Sequence, residues 1–250
     1  MRNHRFYCAN AIKSNTEISL SVSNSQHISQ VLRLRAGDKI ILFDGSGPEY
    51  FSELTVVNKS KSRVKVGLAN WPDSESNLKI SLWHSLCRGA RMDTVIQKAT
   101  ELGVKNIQPA ITSRSVIRLN KNKAEKKMIH WRKIAISAAE QSGRCKIPQI
   151  KEPKKLVDLL YNDNSSPIKI IFDTEGTTTL SQLPKNTKEL ILLTGPEGGF
   201  TKEEIQVAEK NGFLRIRIGK RILRTETAPI AGLSILQFLF GDMNIINTRL

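Results

Sequence analysis

Two glycine-bearing stretches near the C-terminal end hold the residues best suited to chemistry. Gly195-Pro196-Glu197-Gly198-Gly199 follows the apolar run Leu192-Leu193-Thr194 and precedes a charged helical pattern that begins at Thr201. Three glycines and a proline in five residues turn the backbone sharply and bring bare peptide groups to a ligand, because no Cβ stands in the way. Thr201, with Glu204 three residues later, forms a capping box, so the loop opens onto a helix N-terminus whose N–H groups favour acceptors. Taken alone, such a loop is as readily a tight connection as a binding site. The second stretch, Ile218 to Pro229, repeats strand, irregular loop and helix, and places Lys220, Arg221, Arg224 and Glu226 in a connection that has no structural need of them. A third grouping, Glu140-Gln141-Ser142-Gly143-Arg144, closes a long helical pattern. A C-cap explains Gly143 and leaves the carboxylate, amide and guanidinium unexplained.

Other chemistries find little support. No Gly-Lys-Ser/Thr follows the glycines, so the loop is not a phosphate-binding P-loop. His4, His27, His84 and His130 have no ligand spacing with one another or with cysteine, so no metal is expected. Neither a Gly-x-Ser-x-Gly elbow nor a Cys/His arrangement for acyl transfer is present. What remains is chemistry that needs a positioned cofactor and one or two charged side chains.

The elements that must position these residues fall into two groups. Up to about Trp71 the pattern predicts short strands over Ile18–Val22, Lys39–Phe43, Tyr50–Val57 and Arg63–Leu68, a turn at Asp44-Gly45-Ser46-Gly47-Pro48 and a helix over Ser25–Leu34. That set suggests a small β-barrel over residues 1–70. The polar segment 71–77 reads as a linker. From residue 78 to 250 the pattern changes to strands alternating with helices. Strands are predicted over Leu78–Leu86, Val104–Ile111, Lys169–Phe172, Glu189–Leu193 and Phe213–Ile218, and helices over Arg91–Leu102, Lys121–Ser142, Thr201–Asn211 and Thr227–Phe240. Such alternation implies an α/β domain with a largely parallel sheet, whose ligands sit at the carboxyl ends of the strands.

Charge supports a polyanionic partner. The chain of 250 residues carries 39 Lys+Arg against 23 Asp+Glu, a net +16. The excess is uneven: residues 1–70 hold 10 basic and 5 acidic groups, 79–155 hold 18 and 5, and 156–250 hold 11 and 11. A basic first half beside a neutral segment with the glycine loops suggests a basic face, suited to a polyanion, next to a separate pocket. His27, Arg33, Arg35, Arg88, Arg91, Arg114 and Arg118 are the candidates for that surface. Each taken singly also fits a solvated face. Cys8, Cys87 and Cys145 are odd in number and far apart, which indicates a reducing compartment. No signal-peptide core or membrane-length apolar run is present, so a soluble, cytoplasmic protein is expected.

The two loops together carry a resemblance. Gly195-Pro196-Glu197-Gly198-Gly199 followed by Gly219-Lys220-Arg221-Ile222-Leu223-Arg224-Thr225-Glu226-Thr227-Ala228 resembles the cofactor-binding end of the RsmE family, the 16S rRNA (uracil-1498 N3) methyltransferases of the SPOUT class. Val31-Leu32-Arg33-Leu34-Arg35, the run from Gln97 to Val104, and Ala139 to Arg144 are similar to its other blocks. Phe172-Asp173-Thr174-Glu175-Gly176 departs from the usual loop. The resemblance implies a PUA-like N-terminal barrel, a SPOUT domain with a trefoil knot, a homodimer, and S-adenosyl-L-methionine as cofactor. It also implies the small ribosomal subunit as partner. On that basis Leu193, Thr194, Gly195, Pro196, Glu197, Gly198, Gly199, Ile218, Gly219, Ile222, Leu223 and Arg224 would hold the cofactor. Arg144 and Arg224 would orient the uracil, with Glu140 or Glu226 as proton acceptor, and for the two glutamates a structural ion pair is the stronger reading. Two alternatives stay open: a relative acting on a tRNA base or a ribose 2′-hydroxyl, and an assembly factor that binds RNA without turnover.

Overall fold

A computed structural model describes residues 4–115, 120–163 and 167–244. They divide into two compact units, Met1–Glu75 with Ala139–Ile147, and Ser76–Ala138 with Pro148–Leu250.

The first unit contains β1 (His4–Tyr7), β2 (Glu17–Ser19), α1 (Val22–Gln26), β3 (Lys39–Phe43), β4 (Glu49–Val56), β5 (Arg63–Lys65) and β6 (Ala69–Asn70). The sheet runs β1-β3-β4-β5-β2 with β6 beside β4; only the β1–β3 pair is parallel. One face buries Phe6, Ile28, Ile40, Leu42, Leu54 and Val64. The helix begins earlier than Ser25 because the Ser21 hydroxyl accepts from the Asn24 N–H. It continues as a wide turn over His27–Val31 and stops where Arg33 takes a φ of 55°.

Residues 139–147 were expected in the α/β domain, and here the structure differs. Phe43 packs against Ala139 and Cys145. Glu140 Oε1 accepts from the Tyr7 N–H at 2.8 Å, and Arg5 Nη2 donates to the Arg144 carbonyl at 3.2 Å. Arg5 also pairs with Glu49 and lies over the Phe43 ring. β3 has apolar residues on both sides, and the second set needs a cover that its own sheet does not supply. Segment 71–77 is likewise no free spacer: Trp71 lies against the Gly47 turn, Glu75 pairs with Arg144, and the division falls after Glu75.

The second unit contains β7 (Lys79–Ser85), α2 (Ala90–Glu101), β8 (Asn106–Ile111), the first part of α3 (Lys121–Ser142), β9 (Gln149–Ile150), β10 (Lys154–Lys155) and α4 (Leu156–Asn162). It continues with β11 (Ile168–Phe172), β12 (Glu189–Thr194), α5 (Lys202–Lys210), β13 (Phe213–Ile216) and α6 (Thr227–Phe240). Every pairing is parallel, in the order β10-β8-β7-β12-β11-β13 with β9 beside β8. β12 lies in the middle, and Leu190 to Thr194 are all buried. Among the described residues no helix is long and apolar enough to cross a membrane.

Because the strands are parallel, the chain leaves β11, β12 and β13 at the same edge of the sheet, which brings three loops together. α6 then packs back over β11. Gly232 makes that approach possible, since a Cβ there would lie 2.2 Å from the Phe172 ring. Pro229 sits in the first turn of α6, where its missing N–H costs nothing.

Candidate functional site

The three loops enclose a cleft of about 380 Å³, lined by Phe172–Thr174 after β11, by Gly195, Pro196, Glu197, Gly199 and Phe200 after β12, and by Arg217–Leu223, Thr225 and Ala228 after β13. That volume lies in the range typical of small-molecule sites, roughly 300–1,000 Å³.

The glycine loop is fixed on all sides. Gly199 N–H donates to the Pro196 carbonyl at 2.9 Å, closing the turn, and Gly199 has a φ of 67°. A Cβ at Gly195 would lie 3.0 Å from the Phe200 ring, so a side chain there would displace the ring or enter the cleft. The capping box forms as its spacing predicts: Thr201 Oγ1 accepts from Glu204 N–H at 3.2 Å and Glu204 Oε2 accepts from Thr201 N–H at 2.9 Å. Thr225 Oγ1 donates to the Gly195 carbonyl at 2.8 Å and so ties the second loop to the first. Arg114 Nη1 donates to the carbonyls of Gly198 (2.6 Å) and Phe200 (3.3 Å).

Beneath the loop, His84 is fully buried at the end of β7, with Nδ1 at 2.7 Å from Thr194 Oγ1 and Nε2 at 3.6 Å from Cys87 Sγ. Burial holds its pKa down at about 4, against the opposing pull of Glu197. The Cys87 thiol is pushed up to about 12 by burial, then by the Glu197 and Glu226 carboxylates. Both groups are neutral at pH 7, and Cys87 is not a reactive thiolate.

Of the residues expected at the cofactor, Gly195, Pro196, Glu197, Gly199, Ile218, Gly219, Ile222 and Leu223 line the cleft. Leu193 and Thr194 are buried in β12 directly below it; Gly198 and Arg224 are exposed beside it. Arg224 keeps its side chain in solvent while its carbonyl accepts from the N–H groups of Thr227 (2.9 Å) and Ala228 (3.0 Å), opening α6. Glu226 sits at the N-cap of α6.

Arg144 and Glu140 lie in the first unit. Arg144 is 5% exposed, with Nη2 at 2.7 Å from Glu75 Oε2. Glu140 holds the Tyr7 N–H, and burial raises its pKa against the lowering effect of that bond and of Arg5. Of the residues expected at RNA, His27, Arg33 and Arg35 are exposed in the first unit, and His27 stands edge-on to Phe6. Arg88 is exposed in the second unit, whereas Arg91 and Arg114 reach the glycine loop. Arg118 lies outside the described residues. Among the described residues no group of three or more His, Cys, Asp or Glu is placed to hold a metal.

Sequence reasoning did not assign Asp173, Thr174 or Arg217 to the site, and it covered Thr225 and Ala228 only within the stretch that carries the resemblance. The signal for the first two was available, since their loop leaves a buried strand at the edge shared with both glycine loops. Arg215 anchors that loop by pairing with Asp173 and with Glu175.

A family model described as an RNA methyltransferase domain matches residues 74–237, and one described as an RNA methyltransferase PUA domain matches 20–67. The chain is 35% identical to the ribosomal RNA small subunit methyltransferase E of Buchnera aphidicola subsp. Schizaphis graminum, covering 96% of this chain and 98% of that one. It is 33% identical to the protein of the same name from Bacillus subtilis, covering 88% and 89%. The fold matches the crystal structure of the ribosomal RNA small subunit methyltransferase E of Neisseria gonorrhoeae, solved with S-adenosyl methionine bound. The TM-score is 0.91 at 36% identity, over 97% of this chain and all of that one. A parallel α/β unit with three loops around a cleft, joined to a PUA-type unit, thus coincides with sequence similarity along nearly the whole length, and the chain belongs to the RNA methyltransferase family typified by ribosomal RNA small subunit methyltransferase E.

Proposed function

We propose that this protein binds S-adenosylmethionine in the three-loop cleft and transfers its methyl group to N3 of a uridine in the 16S rRNA of the small ribosomal subunit. The observation that carries the proposal is the cleft itself, a small-molecule volume lined by Gly195, Pro196, Glu197 and Gly199 of one loop and by Ile218–Leu223 of the other. The bound cofactor supplies a methyl group already activated on a sulfonium. The work left to the protein is alignment and removal of one proton.

The residues fit that division. Gly195 leaves the space beside Phe200 that a side chain would fill, so the wall can meet an adenosyl group with its backbone. Arg224, exposed beside Thr225, orients the uracil and stabilises the negative charge that develops on it. Glu226 accepts the N3 proton as the N3–CH₃ bond forms. Arg144 and Glu140, candidates for the same two roles by sequence, are assigned to the first unit's own structure, where Glu75 and the Tyr7 N–H engage them. A paired or stacked base must first be exposed, a requirement that single-stranded rRNA meets at low cost. His27, Arg33, Arg35 and Arg88 are the exposed cations proposed to meet rRNA phosphates.

We further propose a PUA-like barrel in the first unit, a knotted C-terminal segment of SPOUT type, a cytoplasmic location and a homodimer. β12 lies between the earlier strands β7 and β11, an insertion of the kind a knotted crossing needs. α6 exposes Ile235, Phe238 and Leu239, an i, i+3, i+4 stripe suited to a second copy.

Incubating the protein with labelled S-adenosylmethionine and small subunits lacking the modification, then digesting the RNA to nucleosides, tests the activity. N3-methyluridine is the expected product. A 2′-O-methyl nucleoside would redirect the target, and bound RNA with no transfer would replace the enzyme by an assembly factor.

A further inference from the structure

Arg91 opens α2 and meets both cofactor loops. Its Nη1 lies 2.5 Å from Glu197 Oε1 on the glycine loop, and its Nε lies 3.8 Å from Glu226 Oε2 on the loop after β13. Glu226 Oε2 is closed off from solvent and has no hydrogen-bond partner among the described residues. Its charge is therefore set against the Arg91 guanidinium. His84 from β7 and Cys87 ahead of α2 also face this corner; both are buried and neutral at pH 7 and offset neither carboxylate.

A guanidinium suits this position better than an ammonium, because its separate Nη and Nε edges can address two carboxylates at once. Without it, two like charges would face each other across the loops that form one cleft. Arg114 makes a useful contrast: it holds carbonyls of the glycine loop only.

We propose that Arg91 is a positioning residue, which clasps the Glu197 and Glu226 loops together and keeps the cleft in the shape that receives S-adenosylmethionine, rather than a contact to RNA phosphate. The proposal rests on the cofactor reading given above. It is tested first on the full chain without cofactor, by hydrogen exchange, and then by calorimetric titration with S-adenosylmethionine.

In Arg91→Ala, amide exchange should accelerate about tenfold at Gly198–Phe200 and also at Thr225–Ala228. The Kd for S-adenosylmethionine should rise about tenfold, while the KM for small-subunit RNA changes less than about twofold. Arg91→Lys should restore part of the affinity, and adding Glu197→Gln to Arg91→Ala should recover part as well by removing an uncompensated charge. If Arg91→Ala does not fold, Glu197→Gln alone decides: faster exchange in the glycine loop supports the clasp, and unchanged exchange overturns it. Unchanged exchange in both loops of Arg91→Ala overturns it, as does an unchanged cofactor Kd with a raised KM for RNA. Should the unmodified protein bind no S-adenosylmethionine, the cofactor reading fails, and the exchange data still decide the clasp.

Discussion

The loop after β12 and the loop after β13 face each other across one cleft and are built in opposite ways. The first is held from outside: Arg114 takes its carbonyls, Thr225 takes Gly195, the capping box closes its exit and His84 supports its root. The second presents side chains. Lys220, Arg221 and Arg224 are exposed, and Ile222 is 86% exposed. A wall of peptide groups needs rigidity, because its affinity depends on donors and acceptors staying where the ligand needs them. A loop that offers charge to a large partner needs reach. Both loops line one cleft, the first with a fixed glycine turn and the second with exposed side chains at its rim, and the Thr225 hydroxyl ties the second to the Gly195 carbonyl of the first.

The largest expected effect breaks the rigid side. Gly195→Val pushes a branched side chain into the Phe200 ring or the cleft, and Gly199→Val forces a β-branched residue to a φ of 67°. Either should weaken S-adenosylmethionine binding by more than about a hundredfold in a calorimetric titration. Gly198→Val separates the glycines further: a Cβ there would meet only the Arg114 side chain, at 3.4 and 3.7 Å, so the loss should be smaller.

Acid should act on the same side through His84. Its folded pKa of about 4 lies below the unfolded value, so the unfolded chain takes up a proton first as pH falls. The stability held by the neutral imidazole is complete above about pH 6.5 and is lost as pH falls through about 4, on the order of 3 kcal/mol in all. Denaturant unfolding between pH 7 and 4 measures this slope, and His84→Gln should flatten it. An identical slope in the variant would assign the acid sensitivity elsewhere.

The presented side gives a smaller effect with a different signature. Arg224→Ala should lower kcat by about thirtyfold while leaving the S-adenosylmethionine Kd within about twofold, the pattern of a group that acts on the transition state. A shift in Kd alone would move Arg224 to the cofactor wall.

Much of the fold was legible because strong local signals and tertiary structure agree. α3 and α6 keep their predicted limits, β3 matches residue for residue, and the Thr201/Glu204 capping box forms as spacing required. β9 and β10 were not legible, since two-residue strands exist only through the neighbour they pair with. α4 has only seven residues, and the sequence reading assigned no element to them. The end of α3 joins the first unit, and helical periodicity cannot say which core a helix end will meet. The charged residues were the least legible. Arg91 and Arg114 look like phosphate contacts in a basic sequence, and only the parallel topology reveals that the glycine loop lies within their reach. Arg144 and Glu140 were grouped by the end of one helical pattern, and Glu75 and the Tyr7 N–H are among the contacts they make in the first unit.

The central claim is that three loops at the carboxyl edge of one parallel sheet hold a sulfonium methyl donor. Calorimetric titration of the unmodified protein with S-adenosylmethionine, repeated on Gly195→Val, tests it most directly. One site per chain, with saturable heat that disappears in the variant, is the predicted result. No heat with the unmodified protein, or equal heat with both, would contradict the account.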